Sequence, residues 1–380
     1  MPARTFGPYL GMAGTGGVAL WASTEGSSRK WFARALSARG TTTAETLTLG
    51  EAPTELGLVS VRPLRDGFLL LSTHKTSDGE VVEVSLLSAA GALLSGPTSL
   101  GHTASSLLWV DAVANATGAS VLWAANGGGK AEIWAANINQ KAELAGSPRL
   151  LARDAGAWQA AAFGKGLALA VTHVGKGNGA HGPIELTLLG GSDAPAPVVV
   201  NSEISADLDL DMAAIGEQLV LAWSDHRGGE NRVFSATING AGKLAASAAP
   251  ATPPLGEQAV LRVVPPASSS QRGYLAWEAL DAQVATYRSF QVAEIQENGR
   301  ISGPRGVFEY WKMDGSMPEI AATPRGVAVL TLAPVCERAG TCTKSAAIAP
   351  EFLEFDANFV VQATEPLLPA PGHLQTTLAW

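Results

Sequence analysis

Apolar and polar residues alternate along this chain in short runs, and the clearest example covers residues 219–243. An apolar strand ends at Trp223, a polar turn follows over 225–231, a second alternating strand comes next, and glycines close the unit at 240–242. That order predicts a β-hairpin. Six further runs lie over the first strand of this hairpin: GVALWAST, GFLLLSTH, ASVLWAAN, LALAVTH, GYLAWEA and VAVLTLA. The aligned positions are Trp21, Ser72, Trp123, Val171, Trp223, Trp277 and Thr331, spaced by 51, 51, 48, 52, 54 and 54 residues. A period near fifty that spans the chain marks a repeat fold, and several short strands per period predict propeller blades rather than a helical solenoid.

The fifth unit supplies a four-strand template over 206–214, 218–224, 232–239 and 243–249. Similar turn residues close the third strand at Gly40, Gly91, Gly190, Gly299 and Asn358. The expected fold is all-β: a seven-bladed propeller of four-stranded antiparallel blades at 5–53, 54–102, 103–154, 155–204, 205–257, 258–313 and 314–372. A lone blade cannot bury both its faces, so residues 1–380 read as one propeller domain. Residues 373–380 are left over, and how the ring closes is open. The recurring tryptophans fit packing between blades.

Composition agrees: 46% of residues are hydrophobic and 16% charged, with 42 Gly and 22 Pro, as many short strands and tight turns require. The formal charge of −8, with cations scattered, offers no footprint for nucleic acid or an anionic membrane. No apolar run is long enough for a spanning helix, and the first ten residues lack the signature of a signal peptide. Cys336 and Cys342 flank the polar stretch ERAGT, where a loop brings them within disulfide reach. The bridge and an extracytoplasmic location, secreted or periplasmic, are expected together.

First strands of propeller blades line the channel, so the residues about twelve before each aligned position are candidate channel-lining groups. They read Tyr9, Ser60, Asp111, Gln159, Asp211, Arg262 and Glu319, all polar between mostly apolar neighbours. Asp111, Asp211 and Glu319 are oxygen donors of the kind that hold Ca²⁺, and they form the candidate metal set. Two residues beyond the aligned positions stand His74, His173 and Asp225, with His226 and Arg227 beside the last. Imidazoles and carboxylates there supply candidate acid–base chemistry, which makes His74, His173, Asp209 and Asp225 the catalytic candidates. Trp109 and Trp158, with Asp209, Asp225, His226 and Arg227, are the candidate ligand-binding residues, the indoles offering an apolar floor for a sugar. There is no phosphate loop, nucleophile elbow or zinc motif.

The stretch LAWSDHRGGENRVFSATINGAG resembles the repeat of secreted bacterial seven-bladed β-propellers, with its W-S-D-x-R, its third-strand aromatic and its terminal Gly. The match is good in unit five, fair in units one, three and six, and poor in units two, four and seven. The resemblance implies the fold and export, and it carries no catalytic set. The sialidase box S-x-D-x-G-x-x-W and the WD signature are missing, and Arg62 and Arg262 alone make no arginine triad. Three functions stay open: binding of a small-molecule, carbohydrate or protein ligand at the channel mouth by a monomer; hydrolysis or lyase cleavage of a glycoside or polysaccharide; and a purely structural scaffold.

Overall fold

The computed structural model describes residues 5–13, 16–25, 28–37, 43–53, 55–103, 105–126, 130–164, 166–174, 181–189, 197–201, 209–226, 231–252, 261–266, 272–280, 287–303, 305–311, 319–323, 326–331, 335–336, 351–356, 361–366 and 377–379. These residues form strands and turns, and no helix occurs among them. The chain divides into two compact units, residues 1–155 with 371–380, and residues 156–370.

In the first unit, β1 (Thr5–Ala13), β2 (Gly16–Glu25), β3 (Ser28–Ser37) and β4 (Leu47–Glu51) form an antiparallel meander. β5 (Leu56–Leu64), β6 (Gly67–Thr76), β7 (Gly79–Ser88) and β8 (Leu93–Thr103) form a second. β9 (Leu107–Asn115), β10 (Gly118–Asn126) and β11 (Ala131–Asn139) form a third, which β12 (Arg149–Phe163) joins through Arg149 to Ala155.

In the second unit β12 continues beside β13 (Gly166–Val174), β14 (His181–Leu189) and β15 (Val198–Asn201), so one sheet counts seven strands. β16 (Leu210–Ile215), β17 (Gln218–Asp225), β18 (Arg232–Ile238) and β19 (Leu244–Pro250) follow the four-strand template within one residue at every end but the first, where the strand starts at Leu210 and the expected start at 206 lies outside the described residues. The next sheet holds β20 (Leu261–Val264), β21 (Gly273–Leu280), β22 (Tyr287–Ile295) and β23 (Arg305–Trp311). β24 (Glu319–Ala322), β25 (Gly326–Thr331), β27 (Glu351–Asp356) and β28 (Val361–Pro366) form the last meander, while the two-residue β26 (Val335–Cys336) leaves it to pair with β23.

The second strands are continuously apolar because both their faces are covered. Along β6, Leu69 and Leu71 pack into a core shared with Val110, Val121 and Trp123 of the third sheet. The alternate residues Phe68 and Leu70 pack against Leu20 and Ala33 of the first. β17 repeats the rule: Leu219, Leu221 and Trp223 join Ala168 and Leu186 of the preceding sheet, and Val220 and Ala222 join Leu275 and Trp277 of the following one. Burial of this kind contributes about 25 cal/mol per Å² of apolar surface. The repeated hydrophobic run is therefore a sheet-to-sheet core.

Among the described residues the turns after the third strands share one geometry, while Gly40, Gly190 and Asn358 lie outside those residues. The N–H groups of Gly91, Gly242 and Gly299 donate to the carbonyls of Ser88, Asn239 and Gln296 at 2.8–2.9 Å, with φ of 85°, 75° and 77°. A Cβ is strained in that left-handed region, which accounts for the glycines. The same turn in the third unit uses Ala142 at φ 60°.

Residues 373–380, unassigned by the repeats, contribute β29 (Thr377–Ala379). It pairs in parallel with β1 through Tyr9–Thr377, Leu10–Leu378 and Gly11–Ala379, so the first sheet has five strands.

Candidate functional site

Every candidate channel residue lies on the first strand of its meander. In the six pairs whose register is resolved, each stands opposite the residue that precedes the aligned position: Tyr9–Leu20, Ser60–Leu71, Asp111–Leu122, Asp211–Ala222, Arg262–Ala276 and Glu319–Leu330. Gln159 lies on β12. A common register makes the column structurally equivalent, and three of its members, Asp111, Gln159 and Asp211, are engaged in side-chain hydrogen bonds. In the first unit Arg62 clasps Asp111 in a bidentate pair, one arm being Nη2 to Oδ2 at 2.8 Å. In the second unit the Gln159 amide donates to Asp211 Oδ1.

The carboxylates of Asp209 and Asp211 do a further job. Asp209 Oδ2 accepts the Leu261 N–H at 2.9 Å, and Asp211 Oδ2 accepts the Val263 N–H at 2.7 Å. Both donors belong to β20, the first strand of the next meander. Such a strand has one edge without a ladder partner, and its buried N–H groups need acceptors. Each carboxylate also takes the N–H of its own successor, Leu210 at 3.1 Å and Met212 at 2.9 Å. Burial pushes both carboxyls above their ordinary value, opposed by Arg262 and by these hydrogen bonds. Among the described residues no group of three or more His, Cys, Asp or Glu side chains is placed to hold a metal ion.

A second repeated contact lies one residue beyond the aligned position. The hydroxyls of Thr73, Thr172 and Ser224 accept the N–H groups of Leu58, Ala157 and Asp209 at 2.7, 2.9 and 2.8 Å. The run Ser-Thr, Val-Thr, Trp-Ser in the aligned segments is the signal that could have revealed it.

His74 and His173 are likewise equivalent. His74 Nδ1 lies 3.5 Å from Glu83 Oε2, and His173 Nε2 lies 3.3 Å from Glu185 Oε2. Glu83 stands opposite Ser72 and Glu185 opposite Val171, so each carboxylate faces the aligned position itself. In the first, third and fifth repeats that cross-strand place is aromatic: Trp21 pairs with Phe32, Trp123 with Trp134 and Trp223 with Phe234, the first and last of these being stacked, whereas Trp277 faces Gln291 and Thr331 faces Glu351. Asp225 is buried at the end of β17, and His226 is exposed just beyond it. Arg227 and Cys342 lie outside the described residues. Trp109, on β9, and Trp158, on β12, are each half-buried within their own unit.

Exchanging tryptophan for serine leaves space. Between the first and second meanders lies a cavity of about 580 Å³, lined on one side by Trp31 and Leu49 and on the other by Leu70, Ser72, His74, Glu83 and Ser85. Glu51, Glu55, Lys75 and Leu93 are exposed at its rim. Trp31 takes the place that Val82, Ile133 and Val233 hold in other units, opposite Ala22, and it meets Tyr9 edge to face at 6.3 Å. Its indole lines the cavity from the first sheet, across from Ser72. Ser72 and Ser85 are 6% and 8% exposed, and their hydroxyls have no hydrogen-bond partner among the described residues. Hydroxyls that line a cavity and make no internal hydrogen bond are available to a guest. Sequence reasoning noted Ser72 only as an alignment position and missed Trp31, Glu83 and Ser85.

No protein family and no curated protein matches the chain. Solved structures do. One from a study of two prolyl endopeptidases is 13% identical with a TM-score of 0.55, covering 96% of this chain and 49% of the other, so the likeness takes in about half of that protein. The β-propeller domain of the Trilobed protease from Pyrococcus furiosus is 8% identical, with a TM-score of 0.53 over 96% of this chain and 98% of the domain. The polysaccharide lyase Uly1 is 8% identical, with a TM-score of 0.51 over 88% of each chain. At such low identity these likenesses speak to architecture alone, and with the stacked meanders they make this chain an all-β protein of the β-propeller fold.

Proposed function

We propose that the chain is a single seven-bladed propeller that acts outside the cytoplasm and binds a carbohydrate in the cavity beside Trp31. The observation that carries the reading is a cavity lined by Trp31 and by Ser72 and Ser85, whose hydroxyls make no hydrogen bond among the described residues. Sugars are recognised by hydroxyl hydrogen bonds together with stacking of their apolar faces on aromatic rings. A sequence that departs from its own repeat where tryptophan would close the core is expected to do so at a functional site. Seven blades are supported by the common register of the first strands, with β12 serving two successive meanders.

The test is a glycan array followed by calorimetric titration of the wild type and of Ser72→Leu. The variant places an aliphatic side chain in the cavity and removes a hydroxyl, so binding should fall by about tenfold or more while the melting temperature is kept or raised. A wild-type protein that binds no glycan, or a variant that binds as well as wild type, overturns the reading.

A second reading, cleavage of a glycoside or polysaccharide, is favoured by one observation. His74 lies beside Glu83, with Nδ1 3.5 Å from Oε2, which brings an imidazole and a carboxylate, the groups of acid–base chemistry, to one wall of the cavity. Turnover of the glycan that binds, lost in His74→Asn, would support it over simple binding.

The export half of the proposal rests on the cysteines. Cys336 sits on β26, opposite Glu309 of β23, in the connection from β25 to β27. A bridge to Cys342 would close a short loop and contribute about 2 kcal/mol. Intact mass after alkylation without reductant should show no labelled thiol, and two labels would remove both the bridge and the argument for export.

A further inference from the structure

The cavity beside Trp31 has an electrostatic character that the carbohydrate reading does not use. Glu51, Glu55 and Glu83 line it against a single Lys75, with His74 the other titratable group of the lining. The whole chain carries a formal charge of −8, so the surroundings do not offset this local excess. The three carboxylates are not equivalent. Glu51 and Glu55 are exposed at the rim, where water screens them and their effect is on approach rather than on affinity. The Glu83 side chain is four-fifths buried on the wall, and among the described residues its one charged neighbour is His74 at 3.5 Å, beyond good hydrogen-bond geometry. A carboxylate in that position has unused acceptor capacity and is stabilised by any cation that donates to it.

The geometry points to a cationic, amine-bearing saccharide as the ligand, with its ammonium group on Glu83, its hydroxyls on Ser72 and Ser85, and its apolar face on Trp31. This inference rests on the carbohydrate reading and adds the charge of the sugar to it. The two hydroxyl groups supply the independent support: Ser72 and Ser85 are more than nine-tenths buried, line the same wall as Glu83, and have no partner among the described residues. The register ties them together, since Ser72 stands opposite Glu83 and Leu70 opposite Ser85 on neighbouring strands. An ammonium group and a hydroxyl on adjacent sugar carbons can therefore be met by side chains of one β-ladder. A uronic acid, by contrast, would bring a carboxylate against three others with one lysine to answer it.

The experiment titrates the full chain with oligomers of glucosamine, of N-acetylglucosamine and of a uronic acid, each followed calorimetrically at low and at high salt. The glucosamine oligomer should bind at least about tenfold more tightly than its acetylated form, with an affinity that falls as salt rises, as a desolvated charge-assisted contact requires. Glu83→Gln should abolish that preference while leaving the weaker binding of the acetylated oligomer in place, and Lys75→Ala should leave the preference standing. Equal binding of the two oligomers, or tighter binding of the uronic acid, overturns the inference while the carbohydrate reading stands. Binding of none of the three overturns both. Persistence of the preference in Glu83→Gln shows that the amine is not read at this carboxylate, and the assignment falls.

Discussion

The Asp211 carboxylate is buried, accepts the N–H groups of Met212 and Val263, and is touched by the Gln159 amide. Two effects compete there: burial favours the neutral acid, while the hydrogen bonds and the nearby Arg262 favour the anion, and burial is the larger. The folded-state pKa is therefore raised above the ordinary value of 3.8. A raised carboxyl binds its proton more readily folded than unfolded, so its contribution to stability is highest at low pH and declines as pH climbs from 3.8 through the folded value. Asp211→Asn removes this titration and also replaces one acceptor oxygen with a donor, at a cost of about 1–3 kcal/mol for the N–H left unpaired. The expected outcome is a variant less stable than wild type at about pH 4, with the gap narrowing by about pH 7. Urea unfolding at the two pH values checks it, and a gap that widens with pH would mean that the hydrogen bonds outweigh burial. Asp211 was legible in the sequence as a member of a polar column, and its register was readable from the repeat. The acceptors' role was not. The donors, Leu261 and Val263, lie 52 residues along the chain, and a repeat period reports which residues are equivalent rather than which strand edges lack partners.

At the scale of the element, the period-two pattern explains more than strand identity. β6 and β17 are apolar at consecutive positions because alternate residues face different neighbouring sheets. In such a strand each position answers to one neighbour, and a substitution is felt on one side alone. Ser72 belongs to the face that meets the first sheet, where the equivalent residues of β10, β17 and β21 present Trp123, Trp223 and Trp277 to their own preceding sheets. The exchange was visible in the aligned segments as GFLLLSTH against ASVLWAAN. Its consequence was not, because a serine in a tryptophan column is equally compatible with a collapsed contact. The cavity decides between them: it stays open with Ser72 on one wall and Trp31 on the other. The His–Glu pairs have the same origin. Glu83 and Glu185 occupy places that hold Phe32, Trp134 and Phe234 in other units, and the carboxylates have imidazoles two residues past the aligned positions for company.

At the scale of the whole molecule, the repeat count came from the spacing of seven aligned segments, and the strand that follows the last repeat came from the structure alone. β29 covers the edge of β1 that faces away from β2, which is the open-edge problem that Asp209 and Asp211 answer for β20 with side chains. Three residue pairs are too few to be seen in a sequence, and LQTTLAW has no counterpart elsewhere in the chain. Their energetic weight is small as well. Each backbone hydrogen bond contributes about 0.5–1.5 kcal/mol, and fixing each residue of β29 costs about 1–2 kcal/mol of conformational entropy. The terms nearly cancel, so deleting residues 377–380 should lower global stability by no more than about 2 kcal/mol. Local protection should respond far more strongly, because the amides of Tyr9, Leu10 and Gly11 that face β29 lose their cover while the ladder between β1 and β2 stays. Hydrogen exchange on the deleted and full-length proteins is the measurement. Faster exchange confined to 9–11 with a near-unchanged urea midpoint is expected, and a midpoint that collapses would mean that β29 anchors the first sheet rather than covering its edge.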